Sequence, residues 1–281
     1  MFTICEKRRL NSTVTLMEIE APVVAKKAKA GQFIILRTDE YGERIPFTIA
    51  GTDPEAGTVT IIYQTVGRTT MQLDTMEPGD ALQDFSGPLG KPTELEGIRR
   101  AVVVGGGVGC AIAMPVAKAL YDMGAKVDII AGFRSRDIII LEEEMRGMCD
   151  NYYIMTDDGS AGEKGVTTDK LKALLDAGEQ YDMVIAIGPV IMMKFVVETA
   201  RPYGVPTMVS LNPIMIDGTG MCGCCRVTVG GKMQFACVDG PDFNGYEVDF
   251  DELMKRNGSY KAQEAEAKQH ICRLTGGVRH G

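Results

Sequence analysis

The sequence predicts an antiparallel β barrel followed by an α/β domain on a doubly wound parallel sheet, with a cysteine-bearing loop segment behind them. Three observations carry this. Short runs rich in Val, Ile and Thr, punctuated by Gly, Pro and Asp, fill residues 1–97. From residue 98 onward, apolar strand-like runs alternate with helix-like stretches. Four of the eight cysteines then fall between Cys222 and Cys237.

In the first region the runs are "TVTLMEIEAP", "GQFIILRT", "RIPFTIAGT" and "GTVTIIYQTVG". Turn residues at short, regular intervals between β-branched runs are the rhythm of a small antiparallel barrel. "DFSGPLGKP" (Asp84 to Pro92) reads as a rigid turn before the boundary. Over 98–210, "RRAVVVGGG" is a buried strand ending in glycines, and "VGCAIAMPVAKALYDMG" is a helix closed by Gly124. "KVDIIAGFRS", "IIILEEEMRGMC", "YYIMTDDG", "TTDKLKALLDAG", "YDMVIAIGP", "IMMKFVVETARPYG" and "PTMVSL" continue the alternation. Strand and helix in turn imply a parallel sheet. The cysteine segment occupies 211–250, and 251–281 reads as a helical tail, either a docking surface or a solvated helix over the core.

Composition narrows the function classes. The chain has 281 residues, 45% of them hydrophobic, with a net charge of −8 and no tryptophan. An acidic chain with few aromatics has no general attraction to nucleic acid or anionic lipid and no base-stacking platform. The apolar runs are broken by glycines and charges, so neither a membrane span nor an export signal is expected. The expected compartment is the reducing cytosol, where clustered cysteines do metal or redox work. Cys5, Cys110, Cys149 and Cys272 are expected to be small buried hydrophobes.

"DGTGMCGCCRVTVGGKMQFACVDG" spans Asp217 to Gly240. Its thiols suit tetrahedral zinc or a [2Fe–2S] cluster. Zinc would need adjacent Cys224 and Cys225 to aim at one ion, with no histidine nearby. Plant-type clusters use C-x4-C-x2-C and a distant fourth cysteine. Here the row reads D-x4-C-x2-C-x11-C, with Asp217 in the first thiolate's place before Cys222, Cys225 and Cys237. A carboxylate donates less electron density than a thiolate, so a higher potential is expected. Cys224 lies off the spacing and reads as a bystander. Asp217 could also be an ordinary Asp-Gly turn former.

Two further patterns suit nucleotides. Gly105, Gly106, Gly107 and Gly109 stand between a strand and a helix, where backbone N–H groups can receive a pyrophosphate. Gly188 and Pro189 end a later strand, at the rim where ligands bind in such sheets. Arg134 and Arg136 follow the second strand and could hold a 2′-phosphate or be solvated charges, which leaves NAD versus NADP open. In the barrel, Arg44 supplies a permanent charge for a diphosphate. The loop Gly67, Arg68, Thr69 and Thr70 supplies amides and hydroxyls for the same group. Pro46, Phe47 and Thr48 would lie along a flat ring.

These regions together resemble the ferredoxin–NADP reductase superfamily, which pairs an FAD-binding barrel with an NAD(P)-binding lobe. "RIPFT" and "GRTT" are similar to its flavin-binding strand and diphosphate loop. The cysteine segment resembles that of dihydroorotate dehydrogenase electron-transfer subunits, where four cysteines hold a [2Fe–2S] cluster. "GERIPFTIAG", "VGGGVG" and "DGTGMCGCCRV…FACVDGP" more closely resemble the small-subunit group of NADH-dependent ferredoxin:NADP oxidoreductases, also labelled sulfide dehydrogenase beta subunits. That group carries the same aspartate, although its C-G-G-C has glycine where this chain has Cys224. The resemblance implies a flavin and iron–sulfur oxidoreductase subunit with FAD, NAD(H) rather than NADP(H), and a [2Fe–2S] cluster. It implies hydride exchange between NAD(H) and FAD, single electrons leaving through the cluster, and no side chain acting as acid or base. It further implies a larger partner subunit with its own FAD and [4Fe–4S] clusters, which handles NADPH and ferredoxin in electron bifurcation. The alternatives are a dihydroorotate dehydrogenase partner, or a zinc-bound or redox-sensing protein without turnover.

Overall fold

The computed structural model describes residues 1–274, with side chains described through residue 267. Strands β1 (Phe2–Arg9) and β2 (Val14–Glu20) pair antiparallel. A short helix α1 (Pro22–Lys27) leads to β3 (Phe33–Arg37), β4 (Ile45–Asp53) and β5 (Thr58–Gln64). Helix α2 (Arg68–Leu73) precedes β6 (Ala81–Leu82) and β7 (Asp84–Leu89). The strand order is β6-β1-β2-β5-β4-β3-β7. Strands β6 and β7 sit on opposite edges yet are joined through Gln83, whose amide donates to the Arg37 carbonyl. That junction nearly closes the barrel.

The apolar runs of β2 and β3 do not alternate, because both of their faces are buried. Met17, Ile19, Ile34 and Leu36 fill the barrel interior. Leu16 packs outward onto one side of the second lobe, and Phe33 and Ile35 onto the other. Full burial of such side chains stabilises by about 1.5–3 kcal/mol each.

The second sheet begins with β8 (Arg100–Gly106), α3 (Gly109–Asp122) and β9 (Lys126–Phe133). It continues through α4 (Glu142–Arg146), β10 (Asn151–Thr156), β11 (Glu163–Lys164) and α5 (Thr167–Asp176). Then come β12 (Met183–Ile187), α6 (Val190–Ala200) and β13 (Thr207–Ser210). The cysteine segment holds a hairpin, β14 (Arg226–Val229) with β15 (Lys232–Phe235), and an outer strand, β16 (Asp242–Asn244). Helices α7 (Phe250–Asn257) and α8 (Lys261–Leu274) follow. The order is β11-β10-β9-β8-β12-β13-β16. Crossovers run one way from β8 to β9 and the other way to β12. The switch point therefore lies between β8 and β12, where such folds open a ligand crevice.

Several expectations are corrected. The sheet is parallel except at β16, which pairs antiparallel with β13 and ties the cysteine segment into the lobe. "DFSGPLGKP" holds strand β7, tolerating Pro88 because β7 lies at a sheet edge. The "VGRTTMQL" stretch folds into α2. The helix expected over "IIILEEEMRGMC" shrinks to Glu142–Arg146. Cys5 is exposed and Cys149 half-buried, whereas Cys110 is buried as expected; the Cys272 side chain lies outside the described residues. Among the described residues, no helix is long and apolar enough to cross a membrane.

Candidate functional site

The glycine turn after β8 meets the end of β12. A Cβ on Gly109 would stand 2.5 Å from the Ile187 carbonyl oxygen and 2.7 Å from the Gly188 Cα. The first turn of α3 therefore presses directly on the backbone before Pro189. Gly107 adopts φ +58° and faces open space. Gly105 and Gly106 complete the strand, and Gly106 pairs in register with Gly132 of β9. Arg134, two residues past Gly132, stands exposed on the same rim. Arg136 is turned aside, its Nε donating to the Ser160 carbonyl at 2.9 Å. The structure thus brings Gly105, Gly106, Gly107, Gly109, Gly188, Pro189 and Arg134 to the carboxyl ends of neighbouring strands. Cys110 lies beneath the turn, where burial pushes its thiol up to about 12 and keeps it inert.

On the barrel, Arg44 through Thr48 form a half-buried strip of β4 and its approach. The Phe47 ring lies 5.7 Å from the Tyr63 ring. The Arg44 guanidinium is not free. Its Nη1 is 3.6 Å from Asp84, which Arg37 also engages at 2.8 Å, and its Nε donates to the Ile216 carbonyl at 3.0 Å. The Thr69 hydroxyl donates to Glu43 at 2.7 Å, which brings the α2 start beside Arg44. The Thr70 hydroxyl accepts from the amides of Val66 and Gly67, each at 3.0 Å, and closes its own turn. The two threonine hydroxyls are therefore engaged within the chain, and Gly67 and exposed Arg68 are the open members of that motif.

The cysteine loop is assembled in two halves. Cys225 and Cys237 are buried with their sulfurs 3.1 Å apart. Burial and the neighbouring thiol push Cys237 up to about 12. Cys222 is exposed against Cys224, whose amide and thiol hold it below its ordinary value. Asp217 is half-buried and folds back onto its own loop. Its carboxylate accepts from the Thr219 hydroxyl at 2.7 Å and from the amides of Thr219, Met221 and Cys222 at 3.3, 3.0 and 3.4 Å. The Thr219 hydroxyl first, then these amides, hold it below the usual carboxylate range. Among the described residues, no three His, Cys, Asp or Glu side chains gather closely enough to hold one ion. The donor chemistry nevertheless suits an iron–sulfur group. Two buried sulfurs already meet, a third thiol and a charged carboxylate lie on the same short loop, and the carboxylate's hydrogen bonds come from the loop's own amides.

Sequence reasoning missed Asp84, Glu43 and Arg256. Asp84 neutralises Arg44, Glu43 fixes Thr69, and Arg256 of α7 donates from Nη2 to the Cys224 carbonyl at 3.1 Å. Their partners are distant in sequence, so no local spacing marks them.

Comparison with known proteins places this geometry. Residues 212–249 match the iron-sulfur cluster binding domain of dihydroorotate dehydrogenase B. An uncharacterised Clostridium beijerinckii protein is 50% identical, covering 96% of this chain and 94% of its own. A Thermotoga maritima homologue of the dihydroorotate dehydrogenase B (NAD(+)) electron transfer subunit is 46% identical, covering 97% of this chain and 96% of its own. One chain of the solved NADH-dependent reduced ferredoxin-NADP oxidoreductase, described for flavin-based electron bifurcation, is 45% identical. It superposes with a TM-score of 0.92, covering 96% of this chain and 98% of its own. A match of this extent, carrying the same barrel, lobe and cysteine segment, places the chain in the family of dihydroorotate dehydrogenase B electron-transfer subunits and their homologues, an oxidoreductase family.

Proposed function

We propose that this chain is the NAD(H)-facing electron-transfer subunit of a flavin-based bifurcating reductase. The observation that carries the reading is the D-x4-C-x2-C-x11-C row from Asp217 to Cys237, lying inside the segment matched to an iron–sulfur binding domain. When bound, FAD supplies hydride exchange with NAD(H), and a [2Fe–2S] cluster supplies one-electron transfer. The chain's own residues hold and orient. Arg44, Pro46, Phe47, Thr48 and the Gly67–Thr70 turn would seat the flavin. The Gly105–Gly109 turn, Gly188, Pro189 and Arg134 would seat the dinucleotide. Asp217, Cys222, Cys225 and Cys237 would hold the cluster, in the group that keeps aspartate in place of the first thiolate. No side chain is assigned as a general acid or base.

The partner is a larger subunit with a flavin and [4Fe–4S] clusters, through which ferredoxin is reached, and the assembly is assigned to the cytoplasm. Ile216, Met221, Met233 and Val238 are exposed hydrophobics on the cysteine segment. An apolar fringe beside an electron exit supports docking of that subunit there.

The test is an anaerobic absorption spectrum with iron and sulfide analysis, followed by titration with NADH and then NADPH. Flavin bands and an iron–sulfur shoulder, bleached by NADH well below the NADPH requirement, are expected. A colourless protein carrying zinc overturns the proposal. A second reading, service to a dihydroorotate dehydrogenase, is favoured by the name of the Thermotoga relative. Orotate formation by the purified complex would decide for it.

A further inference from the structure

Helix α7 reaches the cysteine loop with two side chains whose polar atoms are left over. Among the described residues, half-buried Arg256 makes its single bond to the Cys224 carbonyl, and its Nε is buried without a partner. Asn257 donates from Nδ2 to the Asn212 carbonyl at 3.2 Å, and among the described residues its Oδ1 is likewise buried without a partner. The helix is pinned in place, because Phe250 and Leu253 share one core cluster with Cys225, Val227 and Cys237.

Two other arginines grip the same loop. Arg44 donates to the Ile216 carbonyl, and Arg226 donates to the Gly223 carbonyl at 3.2 Å. They differ from Arg256 in charge balance. Arg44 is already paired with Asp84, and Arg226 is exposed. Arg256 makes no ion pair among the described residues. A partly desolvated guanidinium without an anion is costly, and the cost is removed when an anion sits beside it.

We propose that Arg256 is the counter-charge of the metal-loaded cysteine loop, a positioning residue that makes one-electron reduction easier. The inference rests on the function proposed above. It touches no proposed ligand atom and acts through the Cys224 carbonyl, one residue before Cys225, and through its field. In the reduction one electron would arrive from the flavin, which takes the pair as hydride from the nicotinamide dinucleotide and passes it on singly; no ligand or proton leaves the loop, and its net charge becomes more negative by one. A fixed cation stabilises that product more than the oxidised form, since net charge and hydrogen bonding set such potentials.

The experiment is a redox titration of the full chain followed by electron paramagnetic resonance, with iron and sulfide content measured in parallel. Arg256→Gln keeps a donor without the charge, and Arg256→Lys keeps the charge without the fork. Asn257→Asp leaves the guanidinium and adds a negative charge at the next position of α7, whose side chain meets the Asn212 carbonyl of the same segment; it serves should the glutamine variant not fold. The glutamine variant is expected to favour reduction about tenfold less, a potential about 59 mV lower. Lysine is expected to recover most of that shift, and Asn257→Asp to move it in the same direction as glutamine. Glutamine and Asn257→Asp variants at the wild-type potential, or lysine displaced as far as glutamine, overturn the assignment while leaving the function standing. A wild-type chain without iron and sulfide overturns both.

Discussion

Two glycine-rich turns of this chain, Gly105–Gly109 just before Cys110 and Gly218–Gly223 around Cys222, are built differently. At Gly109, where the first turn enters its helix, the neighbours are backbone. A Cβ on Gly109 would meet a carbonyl oxygen and a Cα, whereas one on Gly105 would meet the Cys110 sulfur and Cα, and one on Gly106 the Met192 sulfur. Around the second, the neighbours are side-chain ends. A Cβ on Gly218 would meet Ile35 Cδ1 and Leu89 Cδ1, and on Gly220 the Val238 methyls. Backbone cannot yield without moving strands, whereas methyl tips can. The first turn is thus fixed by the fold at Gly109 before any ligand arrives. The second keeps room to rearrange, which suits the proposed ligands, a buried pair at Cys225 and Cys237 with exposed Cys222 and half-buried Asp217.

The largest effect separates the cysteines of the second turn. Cys237→Ala is expected to abolish iron retention, while Cys224→Ala retains it, read as iron and inorganic sulfide per chain. Because alanine fills most of the buried volume, the metal-free Cys237→Ala chain should melt near the metal-free parent. Equal iron in both variants would sink the ligand assignment. Next, Gly109→Ala is expected to cost about 1–3 kcal/mol by denaturant unfolding, since the added carbon forces backbone apart. A neutral Gly109→Ala would mean that the first turn is as soft as the second.

The same contrast explains what was legible in the sequence. Repeating apolar runs exposed β2 through β5 and the alternating lobe. The glycines that close β8 and open α3 stand out in the sequence, and the close backbone approach at Gly109 gives one of them its physical reason. β1 was missed because its outer half, Lys7 to Arg9, faces partly outward and dilutes the apolar signal. β7 was missed because Gly87 and Pro88 resemble turn residues, and only an edge position admits them. α2 is too short for a periodicity. Arg256 sat in a charged stretch that reads as a solvated face, and its partner carbonyl is 32 positions away. Local chemistry can be read from spacing, but charge balance depends on distant partners.

A smaller effect sharpens the ligand question at Asp217. Asp217→Cys is expected to keep iron and lower the cluster potential, because a thiolate donates more electron density than a carboxylate. The shift, tens of millivolts or about a tenfold change in the one-electron equilibrium, is measured by redox titration. An unmoved potential would return Asp217 to the role its bonds already give it, holding the Thr219, Met221 and Cys222 amides in the turn.

The smallest effect concerns a second aspartate at the other end of the segment. Asp242 of β16 accepts from the Thr93 hydroxyl at 2.6 Å, joining the barrel exit to the sheet. Burial raises its carboxyl above the ordinary 3.8, only partly offset by hydrogen bonds from Thr93 and Ser210. The sign is opposite to that at Asp217. A carboxyl raised in the folded state binds its proton more tightly there than in the unfolded chain. Its contribution is therefore fully present below the unfolded value and is lost as pH rises through the folded one. Asp242→Asn keeps the acceptor for Thr93 and removes the charge. The variant is expected to lose less stability than the parent as pH rises from acid toward neutral, measured by denaturant midpoints across that range. Parallel profiles would mean that the carboxyl ionises as freely in the fold as out of it, and the seam would then be as open to water as the loop it follows.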